Sequence, residues 1–238
     1  MNEKQHIGKL FDRIAGKYDF LNHLLSLNID RWWRRKAVKA VVKNNLKDCQ
    51  CLDVAIGTGD LAIELARQFK KRETNFSITG IDLSVEMMRI GEEKVQKSGL
   101  QQRISFQQAS ALEMPFADKT FDAVTCAYGV RNFSNLDKGL AEMQRVLKTG
   151  GQLMILEFSY PKNKLIAWVY DLYFTHILPA VGRLLSKDKT AYTYLNRSVK
   201  GFVWGQQMCE RIAAAGFSEV SYQPLTFGIT TIYTATKP

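Results

Sequence analysis

The stretch Leu52-Asp53-Val54-Ala55-Ile56-Gly57-Thr58-Gly59-Asp60 constrains this chain more than any other segment. An apolar strand runs directly into a glycine turn and then into a helix. Gly57 and Gly59 carry no Cβ, so a ligand can lie against the backbone there. A turn built for phosphate gathers N–H donors and positive charge, whereas here Asp53 and Asp60 flank the glycines. The ligand that suits two carboxylates carries positive charge, as S-adenosylmethionine does on its ammonium and its sulfonium. Gly57, Gly59 and Ala62 also satisfy the G-x-G-x-x-G/A dinucleotide pattern, and Asp82 ends the following strand near the ~20-residue spacing of that pattern. Asp82 accepts from ribose hydroxyls in either case, because both cofactors contain an adenosine.

At 238 residues and 46% hydrophobic content, the chain can bury one substantial core and is most simply a single domain. The N-terminal MNEKQHIGKLFDRIAGKYD lacks the continuous apolar run of a signal peptide. Cys49, Cys51, Cys126 and Cys209 form no zinc-type double pair and read as buried thiols in a reducing cytoplasm; no metal site is expected. The net charge of +10 favours an anionic partner surface, nucleic acid or phospholipid headgroups, and a soluble basic enzyme fits it as well.

Residues 1–48 read as a helical cap, with Asn28 placed between two helices where a left-handed residue suits. Residues 49–158 alternate strands and helices: CLDVAI, DLAIELARQFKK, SITGIDL, SVEMMRIGEEKVQKSG, ISFQQAS, DAVTCAYG, LDKGLAEMQRVLK and QLMILEFS. That rhythm predicts βαβ units and a parallel sheet covered on both faces. Ser84 is the expected cap of the helix after Asp82, and Thr149-Gly150-Gly151 the expected turn after the helix ending near Leu147. Residues 159–205 interrupt the alternation as a substrate cap insertion. Residues 206–238 supply a final helix and two strands joined near Gly228. The expected fold is therefore an α/β class I S-adenosylmethionine-dependent methyltransferase (Rossmann-like) sheet with a terminal antiparallel hairpin and a helical cap. A dinucleotide fold would continue with parallel strands instead.

The segments LDVAIGTGDLA, GIDLSVEMM, ALEMPFADKTFDAVTCAYGVRNF and LKTGGQLMILEFSYP resemble the ubiquinone/menaquinone biosynthesis C-methyltransferases. The leader FDRIAGKYDFLNHLLSLNIDRWWRRKAV and the cap segment YDLYFTHILPAVGRLLS are also similar to that family, so the resemblance runs from about Phe11 to Tyr233. It implies methyl transfer from S-adenosylmethionine to a ring carbon of a prenylated quinol, demethylmenaquinol or a polyprenyl-methoxy-benzoquinol. It also implies cofactor contacts at Thr58, Asp82, Ser110, Ala111 and Ala127, beside Asp53, Gly57 and Gly59 of the turn. Ser110 stands where the family commonly has Asn or Asp, and Ala127 where it commonly has Ser; neither change removes an essential charge.

Carbon methylation needs a nucleophilic ring carbon, and loss of a ring hydroxyl proton creates one. Catalytic candidates on the loop after the fourth strand are Arg131, to hold a phenolate or polarise a water, and Asn132, to orient a ring oxygen. A surface ion pair for Arg131 and a helix cap at Asn132 are the competing readings. Tyr18, with Asp19, is a candidate to close over the reactants, and His176 is a candidate base, with Asp171 as a second; plain packing competes in each case.

Residues 165–185 approach the length of a membrane span, but Asp171, His176, Pro179 and Arg183 break the run. The expectation is an amphipathic lid over a greasy substrate. A peripheral position at the inner face of the membrane follows, with Arg31, Arg34, Arg35, Lys36 and Lys39 beside Trp32 and Trp33 as the docking face. A homodimer is the expected oligomer if the chain self-associates, and no nucleic-acid partner is expected. The rival activity, an RNA methyltransferase, accounts for the charge and the turn. Its exocyclic-nitrogen versions carry an Asp/Asn-Pro-Pro-aromatic loop where this chain reads AYGVRNF. A non-enzymatic lipid-binding protein on the same fold is a third reading.

Overall fold

A computed structural model describes residues 8, 11–13, 15–16, 19–20, 22–23, 26–42, 48–173, 175, 198–199 and 201–238. These residues form strands β1 (Asp48–Val54), β2 (Asn75–Asp82), β3 (Ile104–Gln108), β4 (Phe121–Ala127), β5 (Leu147–Phe158), β6 (Ser218–Leu225) and β7 (Thr230–Thr236). The helices are α1 (Ile29–Val41), α2 (Asp60–Lys71), α3 (Val85–Lys97), α4 (Leu136–Val146), α5 (Lys164–Leu172) and α6 (Gln206–Ala214). The strands join in one sheet in the order β3-β2-β1-β4-β5-β7-β6. Pairs among the first five strands are parallel, while β7 runs antiparallel to both β5 and β6. The chain therefore winds outward from β1 to β3, crosses back to β4, and leaves a switch point between β1 and β4 where ligands of open α/β sheets bind.

Strand alternation sorts the core onto two faces. Cys51, Met154 and Leu156 pack with Trp33 and Val38 of α1, Ala62 and Leu65 of α2, and Met88 and Val95 of α3. Their neighbours Leu52, Leu153 and Ile155 point the other way, onto Leu140 and Met143 of α4 and Met208 and Ile212 of α6. All four cysteines are buried free thiols.

Two of the boundary shifts have a clear cause in the hydrogen bonds. The first strand ends at Val54 rather than Ile56, because Ala55 takes a left-handed conformation (φ 56°) and the Ile56 N–H crosses to the Ile81 carbonyl at 3.0 Å. The helix expected over 136–148 stops at Val146, and Leu147 already pairs with Phe121 in the sheet. The C-terminal segment causes this: the Gly150 N–H donates to the Lys237 carbonyl at 2.8 Å, and the Lys237 N–H to the Gly151 carbonyl at 2.9 Å. Partners that distant in sequence draw the chain out of the helix early. The expected left-handed residue is present at Asn28 (φ 61°), and Ser84 caps α3 by accepting from the Met87 N–H at 3.2 Å.

Candidate active site

The carboxyl ends of β1, β2 and β4 surround a cleft of about 820 Å³, counting the open space at its mouth. Ala55 and Gly57 form the floor, and Asp82, Leu83 and Met87 one wall. Ser110, Ala111 and Leu112 follow β3, and Ala127, Tyr128, Asn132 and Phe133 close the opposite side. Asp82 is the one charged side chain among these described lining residues.

The turn after β1 is shaped by Gly57 (φ 55°) and Gly59 (φ 79°), both left-handed, with Gly59 opening α2. Asp82 braces it from the next strand: Oδ2 accepts from the Gly57 N–H and Oδ1 from the Ser84 N–H, each at 2.9 Å. Burial pushes the Asp82 carboxyl up, and these two donors offset only part of that. The Leu83 N–H also favours its charged form; an ionised carboxylate offers about four acceptor sites, so capacity remains for a ligand's hydroxyl. Asp53 lies beneath the turn and is buried; its Oδ1 accepts from the Thr125 hydroxyl at 2.8 Å. Its Oδ2 has no hydrogen-bond partner among the described residues. Burial raises Asp53 to about 7, the Thr125 bond opposing and the nearby Asp82 adding to the rise.

The two acids expected around the glycines thus part company. Asp60 does not wait for a cationic ligand. It binds Lys94, and lies 3.5 Å from Arg34 and 3.6 Å from the His23 ring. Burial works against its charge, but Arg34 and Lys94 outweigh burial and hold its carboxyl below the usual range. Thr58 is likewise engaged: its hydroxyl donates to Asp19 at 2.6 Å, and Lys94 reaches Asp19 at 2.8 Å and Thr58 at 3.2 Å. Asp19 therefore ties the leader to the glycine turn.

Of the expected cofactor positions, Gly57, Asp82, Ser110, Ala111 and Ala127 line the cleft, while Asp53, Thr58 and Gly59 support the turn from behind. On the β4 loop, Asn132 lines the cleft and Arg131 does not. The Arg131 guanidinium turns inward and pairs with Glu157 at 2.7 Å, both side chains buried. Its backbone N–H also donates to Glu157, at 3.3 Å, and the guanidinium lies 5.3 Å from the Phe158 ring centroid. The ion pair is therefore a buried one and not the surface pair of the competing reading. Tyr128 is left-handed (φ 57°), its N–H donating to the Leu156 carbonyl at 2.7 Å. Such strain costs about 1–3 kcal/mol and collects at functional sites. Tyr18 and His176 lie outside the described residues.

Sequence reasoning missed Leu83, Met87, Leu112 and Phe133 as cleft walls. Leu83 had a signal, since it directly follows the strand-ending Asp82. Gly8 and Phe11, which also line the cleft, had none; only tertiary folding brings a leader to that spot.

The reversal of β7 separates this sheet from a dinucleotide-binding one, and it overturns that alternative. What remains is a class I S-adenosylmethionine-dependent methyltransferase. The residues fit that cofactor: spare acceptor sites on Asp82, a buried Asp53 oxygen awaiting a donor beneath the turn, and apolar walls between them. Likeness to solved structures agrees at the level of fold. A possible histamine N-methyltransferase from Thermotoga maritima superposes with TM-score 0.67 at 17% identity, over 98% of this chain and 100% of that one. The [4+2]-cyclase SpnF reaches 0.70 at 19% identity, over 99% and 97%. The chain matches the ubiE/COQ5 methyltransferase family over residues 1–237 and belongs to it. A demethylmenaquinone methyltransferase of Bacteroides fragilis is 46% identical over 235 residues, 99% of this chain and 94% of the relative. A ubiquinone/menaquinone biosynthesis C-methyltransferase of Geotalea daltonii is 45% identical over 98% and 97%. The protein is an S-adenosylmethionine-dependent methyltransferase, and the RNA-methyltransferase reading gives way to this family.

Proposed function

We propose that the protein methylates a ring carbon of a prenylated quinol, converting demethylmenaquinol to menaquinol. The observation that carries this reading is the full-length similarity to relatives named for that chemistry, at 46% identity in the Bacteroides fragilis case. The cleft supports it: the β4 loop presents Tyr128, Asn132 and Phe133, an aromatic and neutral wall suited to a flat, greasy ring.

When bound, S-adenosylmethionine supplies an electrophilic methyl group on a sulfonium. Asp82 would hold its ribose hydroxyls. Leu83, Met87, Ala111 and Leu112 would enclose its purine, and the Gly57 turn, braced from behind by Asp53, would lie beside its amino-acid end. Transfer forms a carbon–carbon bond to the ring, breaks the carbon–sulfur bond and releases the ring proton to water. Asn132 orients a ring oxygen from the cleft wall. Arg131 is a positioning residue: through Glu157 it fixes the loop that carries Asn132. Alignment of two reactants in this way can supply about 7–11 kcal/mol. A prenyl tail keeps the substrate in the bilayer, at ~0.8 kcal/mol per methylene, so the enzyme works as a peripheral protein at the inner membrane face. No helix among the described residues is long and apolar enough to cross a membrane.

The test is methyl transfer from labelled S-adenosylmethionine to short-tailed demethylmenaquinol, a methoxy-benzoquinol and bulk tRNA in separate reactions. Label in the demethylmenaquinol is the expected result. Label only in tRNA would overturn the reading.

A further inference from the structure

The expected docking face on α1 is only half available, because Trp33 and Arg34 are buried. A different surface stands out. Along α5, Leu165, Trp168, Val169 and Leu172 are 70%, 63%, 52% and 43% exposed. Their spacing of three and four places them on one helix face, while Tyr170 on the other side is buried and packs edge-on against Tyr160. Of the lid expected over 165–185, residues 174 and 176–185 lie outside the described residues; within α5 the apolar stripe faces outward.

A second element adjoins it. In the Thr226–Gly228 turn, Phe227 is 77% exposed, and both Thr226 (φ 45°) and Phe227 (φ 58°) are left-handed. For a β-branched and an aromatic residue in succession this is a costly conformation. It is held in place: the Trp33 indole donates to the Thr226 hydroxyl at 2.7 Å, and the Ser159 hydroxyl to the Gly228 carbonyl at 2.7 Å. A Cβ at Gly228 would lie 3.5 Å from the Pro161 Cα, so the turn lies beside Pro161, two residues before the Asn163 cap of α5. The turn and α5 therefore share the end of the sheet where β5 finishes and β7 begins, the end that holds the cleft.

We infer that this edge enters an anionic phospholipid bilayer, with the apolar stripe of α5 and the Phe227 ring seated at the boundary between headgroups and acyl chains. Charge selects that occupant. Lys162 and Lys164 at the start of α5 are exposed, as are Arg31 and Arg35 on α1 beside exposed Trp32. The chain as a whole carries +10. Basic residues at such a surface strengthen binding to anionic lipid, and aromatic rings favour its boundary. The inference deepens the proposed function by naming the surface through which the cleft meets a substrate dissolved in lipid.

The experiment measures sedimentation of the full chain with vesicles of phosphatidylcholine, with and without about one-third phosphatidylglycerol, in the absence of quinol. Parent protein partitions onto the anionic vesicles. Trp168→Ser and Phe227→Ser, separate variants at exposed positions with melting unchanged, each lower partition about tenfold or more. Both keep the parent's turnover on a soluble short-tailed quinol. Parent protein that stays in solution, or variants that partition as the parent does, would overturn the inference. So would a solution dimer that Trp168→Ser dissociates without changing partition, since the stripe would then be an interface between copies. Failure of the quinol reading shows up separately, as absent methyl transfer while vesicle binding persists.

Discussion

Removing the Arg131 guanidinium separates a loop-positioning role from a purely chemical one. Arg131 and Glu157 are 4% and 0% exposed at their side chains and 2.7 Å apart. Glu157 also accepts from the Phe158 N–H at 2.8 Å and the Arg131 N–H at 3.3 Å. Arg131→Ala leaves that carboxylate buried without its counter-ion, which costs about 3–5 kcal/mol. In a domain of this size each kcal/mol moves the melting temperature by about 2–4 °C, so the loss is about 6–20 °C. Calorimetric melting measures it. Arg131→Met combined with Glu157→Gln removes both charges and melts several degrees above Arg131→Ala alone. Turnover falls in both variants, because Asn132 loses its fixed support. An Arg131→Ala protein that melts with the parent while losing turnover would refute the positioning argument and restore a direct catalytic role.

Asp53 gives a pH signature. Its folded pKa is raised to about 7 from an ordinary 3.8, so the folded state keeps a proton that the unfolded chain releases. The stability this contributes is complete below about pH 4 and is lost as pH rises through about 7, a change on the order of 4 kcal/mol. Asp53→Asn should therefore gain stability relative to the parent steadily between those pH values in urea titrations, and a constant difference would contradict the assignment. At Gly129 an added Cβ would sit 2.6 Å from the Ala55 Cβ and 2.7 Å from the Cys126 sulfur. Gly129→Ala should cost about 1–3 kcal/mol and displace the loop, read as a lower melting temperature together with slower single-turnover transfer. Asp19→Asn removes the carboxylate that ties the leader to Thr58 and Lys94. Stopped-flow release of S-adenosylhomocysteine should quicken about two- to fivefold; an unchanged rate would mean the leader does not govern that site.

Local signals carried the sheet and the turn into view. The glycines, the capping Ser84 and the strand-ending Asp82 act within a few residues of themselves, so their pattern survives in the sequence. The antiparallel β6 and β7 were legible because alternation and a turn at Gly228 are local as well. What stayed hidden depends on distant partners. Arg131 reads as a cleft cation until Glu157, on another strand, claims it. Asp60 reads as a ligand for positive charge until Lys94 and Arg34 neutralise it. The outward face of α5 was invisible for the same reason: a helix's apolar stripe does not announce whether protein or lipid will cover it.

The central claim is that the methyl donor lies in the cleft against Asp82. A crystal structure with S-adenosylhomocysteine tests it most directly. The account predicts both ribose hydroxyls within hydrogen-bond distance of the Asp82 carboxylate, which keeps its bonds to the Gly57 and Ser84 N–H groups, and the purine between Leu83 and Leu112. A nucleoside bound elsewhere, with Asp82 touching only those two backbone donors, would contradict it.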